Sequence, residues 1–279
     1  MKKRSGIYPR VRVDAAGSGV VSQAGAVVLV ETARVTGLDQ ELSQALARWR
    51  RPSARHDPGK VVLDLAVALA VGGDCLADIA VLRGEPRVFG PVASDPTVSR
   101  TITALAGDAP RALAAIRTAR AAARARAWDL AREHAPDHDR SLVAPLVIDL
   151  DATLVTAHSE KENARPTYKH GYGFHPLTAF VDHGAAGTGE PLAIQLRPGS
   201  AGSNTAVDHI EVTRQALRQL PGRRVGTRPG RKVLIRTDGA GYSHAFLAWL
   251  TGQRLSYAPR GGTPRSGSAC PTTSRTGSP

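Results

Sequence analysis

Aromatic residues make up only 4% of the 279 positions, and the chain holds two cysteines and one methionine. A core with so few rings must be aliphatic, drawn from Ala, Val, Leu and Ile. Cys75 and Cys270 stand far apart in the chain, so they suggest neither a zinc cluster nor a disulfide framework. No apolar run approaches the ~20 residues that a membrane-spanning helix needs. The basic start Met1-Lys2-Lys3-Arg4 is followed by no uninterrupted hydrophobic stretch, because Gly, Ser and Gln break residues 17–30, and a signal peptide is not expected. Acidic side chains are in the minority: 24 Asp and Glu against 37 Lys and Arg leave a net charge of +13. Codon usage of a GC-rich genome accounts for part of the Arg excess. The remainder predicts a polyanionic partner, with nucleic acid first, and a cytoplasmic, nucleoid-associated address. Hydrophobic residues at 42% exclude a wholly disordered chain.

What is present divides the chain in two. Residues 38–49 carry apolar side chains at helical spacing, and 61–71 are apolar almost throughout, which predicts a buried helix. Residues 25–30 fit a short strand or the start of a helix. Two short helices are expected over 76–83 and 95–105, the second capped by Asp95 with Pro96 in its first turn. The pair fits either a loosely connected helix-turn-helix, with Arg100 facing DNA, or a plain helical bundle. Residues 109–134 are rich in Ala and Arg, both strong helix formers, so Arg117 and Arg124 either line DNA phosphates or sit on a solvated helix.

After 135–140 the period changes. Residues 146–151, 177–181, 192–196 and 232–238 are short apolar runs typical of buried strands. Helices are expected over 205–220, capped by Ser203 or Asn204, and over 244–250, with a last strand beginning near 255. The pattern is α/β. From 259 to 279 no Leu, Ile, Val or aromatic residue occurs, so disorder is expected there. The expected domains are 1–140, mostly helical and DNA-binding; 141–258, catalytic; and 259–279, a tail.

Asp151 and Asp238 each end one of these strand-like runs. If the two strands are neighbours, the carboxylates converge at one sheet edge, where hard oxygen ligands suit Mg²⁺ or Mn²⁺. A metal held there activates water and stabilises a leaving oxygen at phosphorus. Aspartates at strand ends also serve as caps and turn formers, so the pair alone leaves both roles open.

Four words in order narrow the choice: Asp149-Leu150-Asp151-Ala152-Thr153; Tyr168-Lys169-His170-Gly171-Tyr172-Gly173-Phe174-His175-Pro176-Leu177; Leu196-Arg197-Pro198-Gly199-Ser200 with Asn204; and Ile235-Arg236-Thr237-Asp238-Gly239-Ala240-Gly241-Tyr242. Over roughly residues 25–258 the chain resembles DDE transposases of the insertion-sequence 1380 type, within the insertion-sequence 4 group. The resemblance implies a ribonuclease H-like catalytic core preceded by a mostly helical region. It implies an acidic triad binding two divalent metals, Mg²⁺ or Mn²⁺, that cleaves insertion-sequence ends and transfers the freed strand. Asp151, followed by Thr153, fits the first acid better than Asp149, and Asp238 fits the second. The third, a Glu on a later helix, has no counterpart, since no Asp or Glu follows Arg254. A core incomplete at its C-terminus, a truncated or frameshifted copy and impaired activity are therefore expected. The implied partners are terminal inverted repeats and target DNA, with a homodimer in the synaptic complex. Lys169, His170 and Arg236 join Arg100, Arg117 and Arg124 as expected DNA contacts.

Two other functions fit part of the sequence. Asp149-Leu150-Asp151-Ala152-Thr153-Leu154-Val155 also resembles the first motif of haloacid-dehalogenase-type phosphatases, which implies Asp149 as nucleophile and Asp151 as general acid. The Arg-rich helical half could alternatively be a DNA-binding remnant without catalysis.

Overall fold

The computed structural model describes residues 7–12, 23–184, 187–222 and 228–259. Residues 260–279, where disorder is expected, lie outside the described residues, as do 223–227. The chain forms two compact units that divide between Leu130 and Ala131.

The first unit is helical. Its helices are α1 (Ala26–Thr36), α2 (Leu38–Ala45), α3 (Pro58–Ala70), α4 (Ile79–Arg83), α5 (Pro86–Phe89), α6 (Asp95–Ala106) and α7 (Ala109–Ala131). Residues 25–30, open between strand and helix in the sequence, start α1. Gly37 ends α1 in the left-handed region at φ 76°, which costs glycine little, and lets α2 begin at once. Asp57 caps α3 by accepting the Lys60 N–H at 2.9 Å, with Pro58 at the first helical position. The aliphatic core expected from composition gathers Val30, Leu42, Val67, Ile79, Leu82 and Val98 around the rings of Phe89 and Tyr8.

Three details differ from the sequence expectations. Helix α3 buries an ion pair as well as apolar side chains: Lys60 Nζ lies 2.8 and 2.7 Å from the two Asp64 oxygens, and Tyr8 Oη donates to Asp64 at 2.8 Å. Asp95 does not cap α6; Ser94 occupies that position, and Asp95 pairs with Arg83 at 2.7 Å. The short helix α5 fills the connector between α4 and α6, so no tight helix-turn-helix forms there.

The second unit is mixed α/β. A five-stranded sheet has the order β6-β5-β1-β7-β8, from β1 (Leu146–Ala152), β5 (Leu177–Val181), β6 (Glu190–Gln195), β7 (Val233–Thr237) and β8 (Ser256–Pro259). β5 runs antiparallel to β1, and β6 antiparallel to β5. β7 runs parallel to β1, and β8 parallel to β7. Helix α8 (Ala206–Arg218) connects β6 to β7, and α9 (His244–Gly252) connects β7 to β8. Thr205, rather than Ser203 or Asn204, is the residue preceding α8.

Central β1 alternates. Leu146, Ile148 and Leu150 are at most 3% exposed on one face, while Val147, Asp149 and Asp151 occupy the other. Burying the first three contributes about 1.5–3 kcal/mol each, which fixes the register and so decides where the aspartates point. Between β1 and β5 the chain makes a second small sheet, order β2-β4-β3, from β2 (Val155–Thr156), β3 (Arg165–Pro166) and β4 (Tyr172–Phe174). The segment 168–177 thus contains a strand of its own ahead of β5. Gly199 is required beside it: a Cβ there would lie 2.3 Å from the Arg165 carbonyl oxygen and 2.5 Å from that of Gly173.

Candidate active site

The register of β1 against β7 governs this site. Ile148 pairs with Ile235 and Asp149 with Arg236. Carried two residues further, the same parallel register sets Asp151 level with Asp238, and strand alternation puts both on the face of Asp149 and Arg236. Both acids lie at the C-terminal ends of adjacent strands. Asp151 is half-buried, and its backbone oxygen accepts the Thr178 hydroxyl at 2.9 Å from β5. Among the described residues its carboxylate has no hydrogen bond or ion pair. Asp238 is exposed and opens a 3₁₀ turn, its Oδ1 accepting the Gly241 N–H at 3.1 Å. One carboxylate is thus unencumbered and the other keeps an oxygen available. Two acidic oxygens without cationic partners form a donor set that suits a hard divalent cation.

Asp149 is differently engaged. Arg236 Nε lies 2.6 Å from its Oδ1, and Arg236 Nη2 lies 2.6 Å from its Oδ2. The same Nη2 donates to Asp182 Oδ2 at 2.7 Å, just beyond β5. One guanidinium therefore ties β1, β5 and β7 together in fork geometry. The Asp149 hydrogen bond holds the guanidinium even more firmly protonated than usual. Arg236, expected to contact DNA, has its fork taken up by two carboxylates. A phosphatase nucleophile at position 149 would need a free oxygen, and Arg236 binds both.

A buried network lies at the start of α8. Arg197 is 3% exposed and donates from Nε to the His175 carbonyl at 2.9 Å. Its Nη1 donates to Gly202 O and Asp208 Oδ2, both at 3.0 Å, while Gln195 Nε2 donates to Asp208 Oδ1 at 3.0 Å. His175 is also buried, with Nδ1 2.9 Å from the Ala201 oxygen. His209 sits one turn into α8, its ring 5.3 Å from that of Phe246. Burial pushes its imidazole below the usual range and Arg197 adds to this, while the Thr205 carbonyl and the charges of Asp208 and Asp238 pull the other way. Sequence reasoning assigned neither Arg197 nor His209 a part. The Leu196-Arg197-Pro198-Gly199-Ser200 word was the available signal for the first; a lone helical His gave none for the second.

Other expected DNA contacts vary in access. Lys169 and His170 are exposed in a turn of the small sheet closed by Thr167 and Gly171, and Lys169 Nζ lies 5.7 Å from the centre of the exposed Tyr168 ring. Arg100 is exposed on α6 and donates to Thr97 Oγ1 at 3.0 Å. Arg117 is half-buried on α7, and Arg124 is only 7% exposed, too enclosed for a phosphate to approach. A separate group, Asp74, Cys75 and Asp78, has ligand atoms within 4.8 Å of one another in the helical unit. There Asp78 accepts the backbone N–H groups of Asp74 and Cys75, both at 2.9 Å, and these bonds hold its carboxyl down at about 2. That geometry closes a helical turn. No helix among the described residues is long and apolar enough to cross a membrane.

Among curated proteins none matches this chain. Residues 3–260 match the family described as Transposase DDE domain group 1. A match over that span, with strand-end aspartates on one face of a mixed sheet, is decisive: the chain belongs to this family of DDE transposase domains.

Proposed function

We propose that this chain is a DNA transposase whose second unit is a ribonuclease H-like core, and that Asp151 and Asp238 are its divalent-metal ligands. The sheet order β6-β5-β1-β7-β8, with β5 antiparallel to the central strand and β7 parallel to it, supports that core. The observation that carries the site is the parallel register of β1 and β7, which levels the two acids on one face. A Mg²⁺ or Mn²⁺ ion, when bound, supplies Lewis acidity at phosphorus and a water of lowered pKa.

The chain's own residues do the rest. Asp151 offers a carboxylate free of competing cations. Gly241 fixes one oxygen of Asp238 and so orients the other. Buried Ile148 and Ile235 keep the strands in register behind them. Lys169 and His170 meet the DNA backbone from the small sheet, and Arg100 meets it from α6. Such contacts set affinity and salt dependence without reading sequence. The helical part, up to about residue 140, engages the terminal repeats, and two copies pair in the synaptic complex.

Nicking of a supercoiled plasmid carrying the element's ends, with and without Mg²⁺, tests the assignment. Asp151→Asn and Asp238→Asn should each abolish cleavage while leaving the gel-shift of end DNA unchanged. Cleavage retained by either variant removes that residue from the site.

A further inference from the structure

The face that carries Asp151 and Asp238 also carries Asp149 and Asp182, so a cation approaching it meets more carboxylates than the chemistry needs. We infer that Arg236 is a positioning residue that withholds Asp149 and Asp182 from divalent cations, and so confines metal binding to Asp151 and Asp238. The inference deepens the proposed site and rests on it.

The geometry is specific. Arg236 Nη2 lies 2.6 Å from Asp149 Oδ2 and 2.7 Å from Asp182 Oδ2. The guanidinium nitrogen thus occupies a point close to two carboxylate oxygens from different strands. That spacing is within a few tenths of an ångström of the roughly 2.3–2.6 Å at which Ca²⁺ takes oxygen ligands, and about 0.6 Å longer than the roughly 2.0–2.1 Å of Mg²⁺, a gap that a small side-chain shift closes. Take the guanidinium away, and the same two oxygens make a two-carboxylate cation position. Asp149 precedes Asp151 by two residues on the same face of β1, so that position lies roughly 7 Å along the strand from the proposed site. An ion drawn there would be misplaced for the strand-end acids. Arg236 is suited to prevent this. Its charge cannot be titrated away, its fork takes both oxygens of Asp149, and its backbone is already paired opposite Asp149 in the ladder. All three side chains are less than one-third exposed, which limits competition from water.

The test is Mn²⁺ binding to the full chain without DNA, followed by loss of the free-ion electron paramagnetic resonance signal. Asp149→Asn should leave the affinity within about twofold of the parent, whereas Asp151→Asn should weaken it at least tenfold. Arg236→Met should gain one further ion per chain. That gain should vanish in Arg236→Met/Asp149→Asn and in Arg236→Lys, which restores a cation. A merely structural role for Arg236 would not produce an Asp149-dependent gain. Ions bound elsewhere, as at Asp74 and Asp78, are common to all variants and cancel. If Arg236→Met does not fold, Arg236→Gln takes its place, and circular dichroism monitors both. The inference is overturned if Asp149→Asn weakens binding as Asp151→Asn does, or if no Asp149-dependent ion appears when Arg236 is removed. If Asp151→Asn and Asp238→Asn leave Mn²⁺ affinity unchanged while removing Arg236 still adds the Asp149-dependent ion, the proposed site fails and Arg236 keeps its role.

Discussion

Lys60→Met should destabilise the helical unit by about 3–5 kcal/mol near neutral pH, the usual cost of removing one partner from a buried ion pair. The structure supports the upper part of that range. Asp64 is 1% exposed and Lys60 7%. Without Lys60, the Asp64 carboxylate retains, among the described residues, only the Tyr8 hydroxyl at 2.8 Å as a side-chain donor. Met approximates the lysine stem, so little of the loss is a cavity effect. The Lys60 ammonium also sits 4.6 Å from the centre of the Tyr8 ring, and that cation–π contact goes with it. The loss should depend on pH. Burial pushes the Asp64 carboxyl up, while Lys60 pulls it down. With Lys60 gone, the folded-state value rises further above the unfolded value of about 3.9. The folded form then binds more protons than the unfolded form between those values, so stability falls as pH rises through that window. The variant should therefore lose less at about pH 5 than at about pH 7. Replacing the pair together, Lys60→Met with Asp64→Leu, should recover most of the loss, since an apolar pair carries no desolvation penalty. Urea unfolding followed by the fluorescence of Trp49 and Trp128 measures each case. A loss below about 1 kcal/mol near pH 7, or equal losses at both pH values, would refute the reasoning.

Three further outcomes follow from the second unit and the basic surface. Gly199→Ala should lower the thermal midpoint, with a cost of roughly 1–3 kcal/mol, because its Cβ would meet the carbonyl oxygens of Arg165 and Gly173 inside contact distance; an unchanged melt would mean the small sheet moves aside freely. Burial pushes the His209 imidazole down, so below its ordinary value near 6.5 the unfolded state binds more protons than the folded one. Its stabilising contribution is complete above that pH and fades as pH falls through the depressed folded value; His209→Gln should flatten this acid limb of the stability profile, and an unaltered limb would count against the assignment. Arg100→Ala and Lys169→Ala should each reduce the slope of log affinity for duplex DNA against log salt by about 0.9, as loss of one phosphate contact requires. Unchanged slopes would take those side chains out of the DNA interface.

The elements most legible in the sequence were those with strong local signals. The apolar run 146–151 is β1, and 232–238 is β7, because aliphatic residues bounded by acids and glycines have little alternative to a buried strand. The helix expected over 61–71 begins earlier, at Pro58, where Asp57 caps α3 and the fixed φ of proline suits the first turn. The small sheet was not legible. Its strands are two or three residues long, and pairings such as Arg165 with Gly173 are set by tertiary contact rather than by any period. The Lys60–Asp64 pair was hidden because an i, i+4 charge pair on an otherwise apolar helix reads equally well as an exposed one. At the site, Asp151 and Asp238 were visible as strand ends. Thr153 favoured Asp151 over Asp149 in the sequence, but the contact that sets them apart was hidden, since Arg236, which binds Asp149, lies 87 residues away in the chain.

The most direct test of the central claim is a crystal of the full chain grown with Mn²⁺ and located by its anomalous scattering. The account predicts an ion within about 2.0–2.6 Å of carboxylate oxygens from both Asp151 and Asp238. An ion held by Asp149 and Asp182 instead, or the carboxylates of 151 and 238 turned to opposite faces of the sheet, would contradict it.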